Sequence, residues 1–162
     1  MSNLKALLRI MPQVGRVEWM SIRPEKGADV RPVEVVEITE TEGVVGDHYA
    51  GNSGSRQVTL IQSEHLAVVG SILGNGPIDP AKTRRNIVVS GINLLALKDQ
   101  QFQIGESVIL EMTGHCHPCS RMEANLGPGG YNAMRGHGGI TARVIAGGTI
   151  RRGDAVRFIE PS

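Results

Sequence analysis

Aromatic residues are scarce, at 3 % of the chain, so a core built on stacked rings is excluded and Val, Ile, Leu and Met must fill it. An excess of charge of one sign is also lacking. With 17 Lys and Arg against 16 Asp and Glu, the formal net charge is +1. No global field points to nucleic acid or to an anionic membrane, and any anion recognition must be local. Long apolar runs are missing: none approaches the roughly 20 residues needed to cross a bilayer. The stretch Met1 to Met11 carries Lys5 and Arg9 among its leucines and lacks the apolar region of a signal peptide. A cytoplasmic protein is therefore expected. Cysteine is nearly absent. Cys116 and Cys119, three positions apart, would close too small a loop to remove much unfolded-state entropy. The cytosol also keeps thiols reduced, so the pair is read as chemistry.

What the chain does contain fits a single globular unit. Its 162 residues can bury an adequate core. An apolar share of 40 % and a charged share of 20 % are ordinary. Glycine is plentiful, with 21 residues, which implies many tight turns between short strands.

Leu4, Leu7, Leu8 and Met11 recur at helical spacing, and Pro12 stops that pattern. Strands are expected at Val14–Ile22, Val33–Ile38, Gln57–Ile61, Ile87–Val89, Val108–Met112, Ile140–Ile145 and Val156–Ile159. The stretch from Glu42 to Ser55 holds four glycines and reads as a loop. Ser63 is placed to cap a helix with the apolar stripe Leu66, Val69, Ile72 and Leu73. A second helix is expected at Ser120–Leu126, with Cys119 at its start. Two segments resemble each other, Ile104–Val108 and Ile150–Val156, each turning on a glycine into a strand. Short strands at fairly regular spacing with few helices imply a mainly β domain, a β-barrel with a few short helices. The chain divides on this reading into an N-terminal arm, 1–13, and a single domain, 14–162.

Three chemistries are open to His115-Cys116-His117-Pro118-Cys119. A thioredoxin-like dithiol suits the His and Pro between the cysteines, but no early βαβ pattern surrounds the motif. Zinc would find the right donor atoms in His115, Cys116, His117 and Cys119, with His137 as a distant ligand, yet a second pair at finger spacing is missing. A thiolate that holds a soft metal, or carries sulfur as a persulfide, is the third. A cysteine at a helix start beside imidazoles suits either of those roles.

Several further segments accompany this motif in a fixed order. They are Gly43-Val44-Val45-Gly46-Asp47-His48, Arg56-Gln57-Val58-Thr59-Leu60-Ile61, Arg84-Arg85-Asn86-Ile87-Val88-Val89-Ser90-Gly91, and, beyond Arg121, Gly136-His137-Gly138-Gly139-Ile140. In this company the chain, from about Val14 to Ile159, resembles the MOSC domain family, the molybdenum cofactor sulfurase C-terminal domain. The resemblance implies a β-strand-rich barrel that binds a pterin-based molybdenum cofactor or handles sulfur. It implies Cys119 as the metal ligand, Arg84 and Asn86 near the pterin and phosphate, and Arg56 bordering the same cavity. Arg121 and His137 are counted with the cofactor-contacting residues, and Cys116 with Cys119 as catalytic. Asp47 and His48 are either a polar pair at the cavity mouth or turn residues. Alternation along a strand would put Arg84 and Asn86 on one face and Arg85 on the other. The glycines at 51–55 and 127–130 are candidate walls. His65 is expected at the surface of its helix.

Three functions follow as expectations. One is a cofactor-binding protein or small molybdenum-dependent reductase of N-hydroxylated compounds. Another is a sulfur carrier holding a persulfide on Cys119, which Cys116 would resolve. The third is a zinc-stabilised binding module without catalysis. No pyridoxal-phosphate sulfurase domain accompanies the motif, so a cysteine desulfurase or a redox partner is expected to supply sulfur or electrons.

Overall fold

The computed structural model describes residues 3–48 and 54–161; the expected wall at 51–55 falls largely outside these. Asn3 caps one helical turn, α1 (Leu4–Leu7), accepting from the Ala6 N–H at 2.8 Å. The leucines of that turn stay in solvent, Leu4 at 79 % exposure, while Met11 packs against the main core. Strands β1 (Gly15–Ile22), β2 (Arg31–Pro32), β3 (Val35–Thr39), β4 (Gly43–Val44) and β5 (Val58–Gln62) lead to helix α2 (Ser63–Ile72). A 3-10 turn at Pro80–Thr83 precedes β6 (Ile87–Ser90), and another at Leu94–Leu97 precedes β7 (Gln101–Ile104) and β8 (Val108–His115). Helices α3 (Ser120–Leu126) and α4 (Gly130–Met134) come next, then β9 (Ile140–Ala146), β10 (Gly148–Arg151) and β11 (Ala155–Ile159).

Seven strands close a barrel in the order β1-β6-β5-β9-β8-β7-β11, with β11 returning to β1. The seam is short: Gly15 faces Val156, and Arg16 faces Ala155. Neighbours run antiparallel except β5 and β6, which are parallel because α2 carries the chain back between them. A small sheet, β10-β3-β4, adds its apolar face (Val36, Ile38, Val44, Ile150) to the main core. The two similar glycine turns have different fates. Gly105 (φ 68°) closes the β7–β8 hairpin, whereas Gly153 (φ 94°) passes the chain from the small sheet to the barrel.

Two apolar clusters explain the strand patterns. Leu60, Ile87 and Val89 point into the barrel, while Ile61 and Val88 meet Leu66, Val69, Met122 and Met134 from α2, α3 and α4 outside it. Adjacent residues on a strand face opposite sides. A strand covered on both sides loses polar alternation, which is why β5 is buried throughout. Among the described residues no helix is long and apolar enough to cross a membrane.

Candidate functional site

The cysteine segment begins where β8 leaves the barrel. Cys116 N–H donates to the Gly139 carbonyl at 2.8 Å, which ties the segment to the chain entering β9. Close approach requires glycine there: a Cβ on Gly138 would stand 2.2 Å from the Cys116 carbonyl oxygen. Cys116 is buried and Cys119 exposed, and both are free thiols. The His115 and His117 rings stack at 6.0 Å.

A polar network sits at the same end of the barrel. Arg23, directly after β1, forms a two-pronged ion pair with Asp47: Nε to Oδ1 at 3.1 Å and Nη2 to Oδ2 at 2.9 Å. Both side chains are buried, so charge and hydrogen bonds are satisfied inside the protein. Asn86 completes the network. Its Nδ2 donates to Asp47 Oδ1 at 3.1 Å and to the Ser21 carbonyl at 3.2 Å, and its Oδ1 accepts from Thr59 N–H at 3.1 Å. His48 N–H donates to the Arg23 carbonyl at 2.7 Å. Asp47 is thus a buried network residue, and the glycine turn before it serves to deliver its carboxylate.

The segment before β6 departs from strand alternation. Arg84 is left-handed (φ 60°, ψ 23°), which few residues other than glycine adopt. Its Nη1 donates to the Ala28 carbonyl at 2.5 Å. The kink turns both Arg84 and Arg85 towards a cavity of about 450 Å³ and sends Asn86 into the network behind it. The expected sharing of a face by Arg84 and Asn86 is therefore corrected: alternation applies only from Ile87, where the strand starts.

That cavity lies within the size range of small-molecule sites. Six cations line it, Arg23, Lys26, Arg56, Arg84, Arg85 and Arg121, together with Cys116, Cys119, His48 and His117. Of the residues expected at the site, Cys116, Cys119, Arg56, Arg84 and Arg121 come together; Asn86 supports them from behind. His137 does not line the cavity. It packs edge-on against His65 at 5.3 Å, and its Nδ1 lies 3.1 Å from the Ala133 carbonyl. His65 is only part-exposed for the same reason. Gly127 and Gly129, both at φ 88°, make the α3–α4 turn away from the cavity, where Glu123 accepts from Gly129 and Tyr131 N–H, each at 3.0 Å.

Arg23, Lys26 and Arg85 were not expected in the cavity. Arg23-Pro24 signals only a strand end in sequence, and Lys26 lies in a turn with no motif around it. Among the described residues, no three His, Cys, Asp or Glu side chains converge as a metal-ligand set, which leaves the zinc alternative without one there. Burial lowers the pKa of Arg85 first, with the charges of Arg23 and Arg56 adding to that and those of Cys116 and Cys119 opposing it.

Residues 40–157 match the model of a family described as the MOSC domain. In structure the chain is similar to the YUAD protein from Bacillus subtilis, with a TM-score of 0.81 and 17 % identity over 94 % of this chain and 100 % of that one. It is also similar to YiiM from Geobacillus stearothermophilus, at TM-score 0.73 and 17 % identity, covering 90 % of this chain and 75 % of that one. For YiiM from Escherichia coli the values are 0.67 and 17 %, over 91 % and 71 %. No curated protein matches the sequence. At such identities the structural likeness speaks to the fold alone.

Proposed function

The chain belongs to the MOSC domain family, which is associated with molybdenum cofactor binding, and on that premise we propose that its cavity holds a pterin-based molybdenum cofactor with Cys119 as the metal ligand. The observation that carries this reading is the exposed Cys119 thiol opening on a cavity lined by six Lys and Arg side chains. A soft thiolate suits a thiophilic metal. Arginines suit the phosphate, which they grip through two parallel hydrogen bonds.

Arg56, Arg84 and Arg121 are the contacting cations in this scheme. Asn86 acts through the Arg23–Asp47 pair that it holds in place. Cys116, a buried thiol, lines the same cavity. Met122, from α3, supplies an apolar patch on the cavity wall. When bound, the cofactor supplies two-electron oxygen chemistry, here the removal of oxygen from N-hydroxylated compounds, with electrons delivered by a redox partner. The protein supplies binding, orientation and electrostatics.

Exposure of Cys119 also favours a second reading, a carrier whose persulfide is loaded by a cysteine desulfurase, since a donor can reach that thiol. Metal analysis and pterin fluorescence on protein purified from a molybdenum-replete host separate the two. Near-stoichiometric molybdenum and pterin, with the metal lost in Cys119→Ser, are expected. Zinc alone would refute both readings. Apoprotein that gains the mass of one sulfur on Cys119 after treatment with a desulfurase would favour the carrier.

A further inference from the structure

Arg85 differs from the exposed cations at the cavity rim. It is 7 % exposed, and its guanidinium donates to carbonyl oxygens: Nε to Gly138 at 2.8 Å, Nη1 to Thr83 at 2.9 Å and Nη2 to Cys116 at 3.4 Å. Among the described residues no carboxylate pairs with it. Carbonyl dipoles satisfy its hydrogen bonds without cancelling its charge, and a buried charge lacking a counter-ion is costly. Arg23 and Arg56 crowd it with like charge, of which Asp47 offsets that of Arg23. The groups that attract it are the two cysteines, when they carry charge. All three residues line the same cavity.

The chain segments it joins pass close to one another. A Cβ on Gly138 would meet Arg85 Nη2 at 3.4 Å as well as the Cys116 carbonyl. One guanidinium therefore pins the turn before β6, the cysteine segment and the entry to β9.

We infer that Arg85 is the positioning and specificity-determining residue of the Cys119 site: it clamps the cysteine segment and leaves its charge facing the cavity, so that Cys119 reacts preferentially with anionic partners. The chemical class is a small molecule bearing a carboxylate, phosphate or other oxyanion next to its reacting atom. This rests on Cys119 as the reacting thiol of the carrier reading above, and not on the metal.

Alkylation of Cys119 in the folded, metal-free protein tests it, comparing iodoacetate, an anion, with iodoacetamide, its neutral counterpart. In both reactions the thiolate sulfur forms a bond to carbon as the carbon–iodine bond breaks and iodide leaves. Both reagents meet the same thiolate, so the ratio of their rates is independent of how much of it is ionised. Peptide mapping assigns the label to Cys119.

The iodoacetate-to-iodoacetamide ratio is expected to be higher in folded than in urea-unfolded protein, and to fall as salt is added. Arg85→Met should lower it at least about threefold, the order expected when a unit charge lining the same cavity is removed. Arg85→Lys should restore most of it, because the charge returns even though the three-pronged clamp does not. A ratio unchanged in Arg85→Met overturns the inference. Should that variant fail to fold, a wild-type ratio no higher than that of the unfolded chain overturns it equally. Molybdenum content is measured separately. Protein that binds neither metal nor sulfur but keeps an Arg85-dependent ratio refutes the proposed function alone.

Discussion

Asp47 shows how much can depend on one carboxylate. It accepts from Arg23 N–H at 2.7 Å, from the Arg23 side chain and from Asn86, and its side chain is 2 % exposed. Asp47→Asn preserves shape but removes the negative charge that faces the buried Arg23 guanidinium. Breaking such a pair costs about 3–5 kcal/mol, and urea denaturation should register a loss of that order. A loss under about 1 kcal/mol, the range of surface pairs, would show that the network is not structural. Asn86 was legible in sequence as part of a family motif, but its task was not. An amide before a strand reads equally as a ligand contact or a network residue, and only its hydrogen-bond partners decide.

At the scale of elements, α2 and the segment after α4 meet through His65 and His137. Burial holds the pKa of His65 below its ordinary 6.5; the charge of His137 adds to this and that of Glu64 opposes it. The unfolded chain therefore takes up this proton at higher pH than the folded one does. The stability at stake is fully present above the unfolded value and is lost as pH falls from about 6.5 towards the folded value. Wild-type protein should lose more melting temperature between about pH 7.5 and 5.5 than His65→Gln does. Parallel losses in the two would rule the coupling out. Glu64 acts in a lower window. Burial raises its pKa, but hydrogen bonds, led by Gly91 N–H, outweigh this and hold it below 4.5. Neither histidine contact was readable from the sequence, because the two residues are far apart in the chain and are joined by helix packing.

The same division holds for the elements themselves. Helix α3 forms at Ser120–Leu126, as the motif spacing led one to expect, because its signals are local. Strand β7 was missed although its burial alternates: four residues are too few to stand out from the Lys98-Asp99-Gln100 turn before them. Strands β4 and β10 are short and exist as parts of the small sheet that pairs with β3.

For the molecule as a whole, barrel closure rests on a short seam, continued by the hydrogen bond from Val17 N–H to the Asp154 carbonyl at 2.8 Å. The β1–β11 pairing involves few residues, and a Cβ on Gly15 would stand 2.6 Å from Ile92 Cγ2 and 2.7 Å from the Ser90 carbonyl. Gly15→Ala should overpack the contact of β1 with the end of β6, beside this seam, and destabilise the fold by about 1–3 kcal/mol, measured by thermal or urea unfolding. An unchanged midpoint would show that the Ser90 to Ile92 segment gives way without cost.

The mainly β class and the barrel followed from the sequence itself, since strand periodicity and glycine turns are written locally along the chain. That Arg23, Lys26 and Arg85 join Arg56, Arg84 and Arg121 around the cavity was decided only in three dimensions. Arg23, Arg56, Arg85 and Arg121 are brought together by strand pairing across large sequence separations. A single left-handed residue, Arg84, exchanges the directions of Arg85 and Asn86. That angle is the C-cap of the 3-10 turn at Pro80–Thr83, where the Arg84 N–H donates to the Ala81 carbonyl.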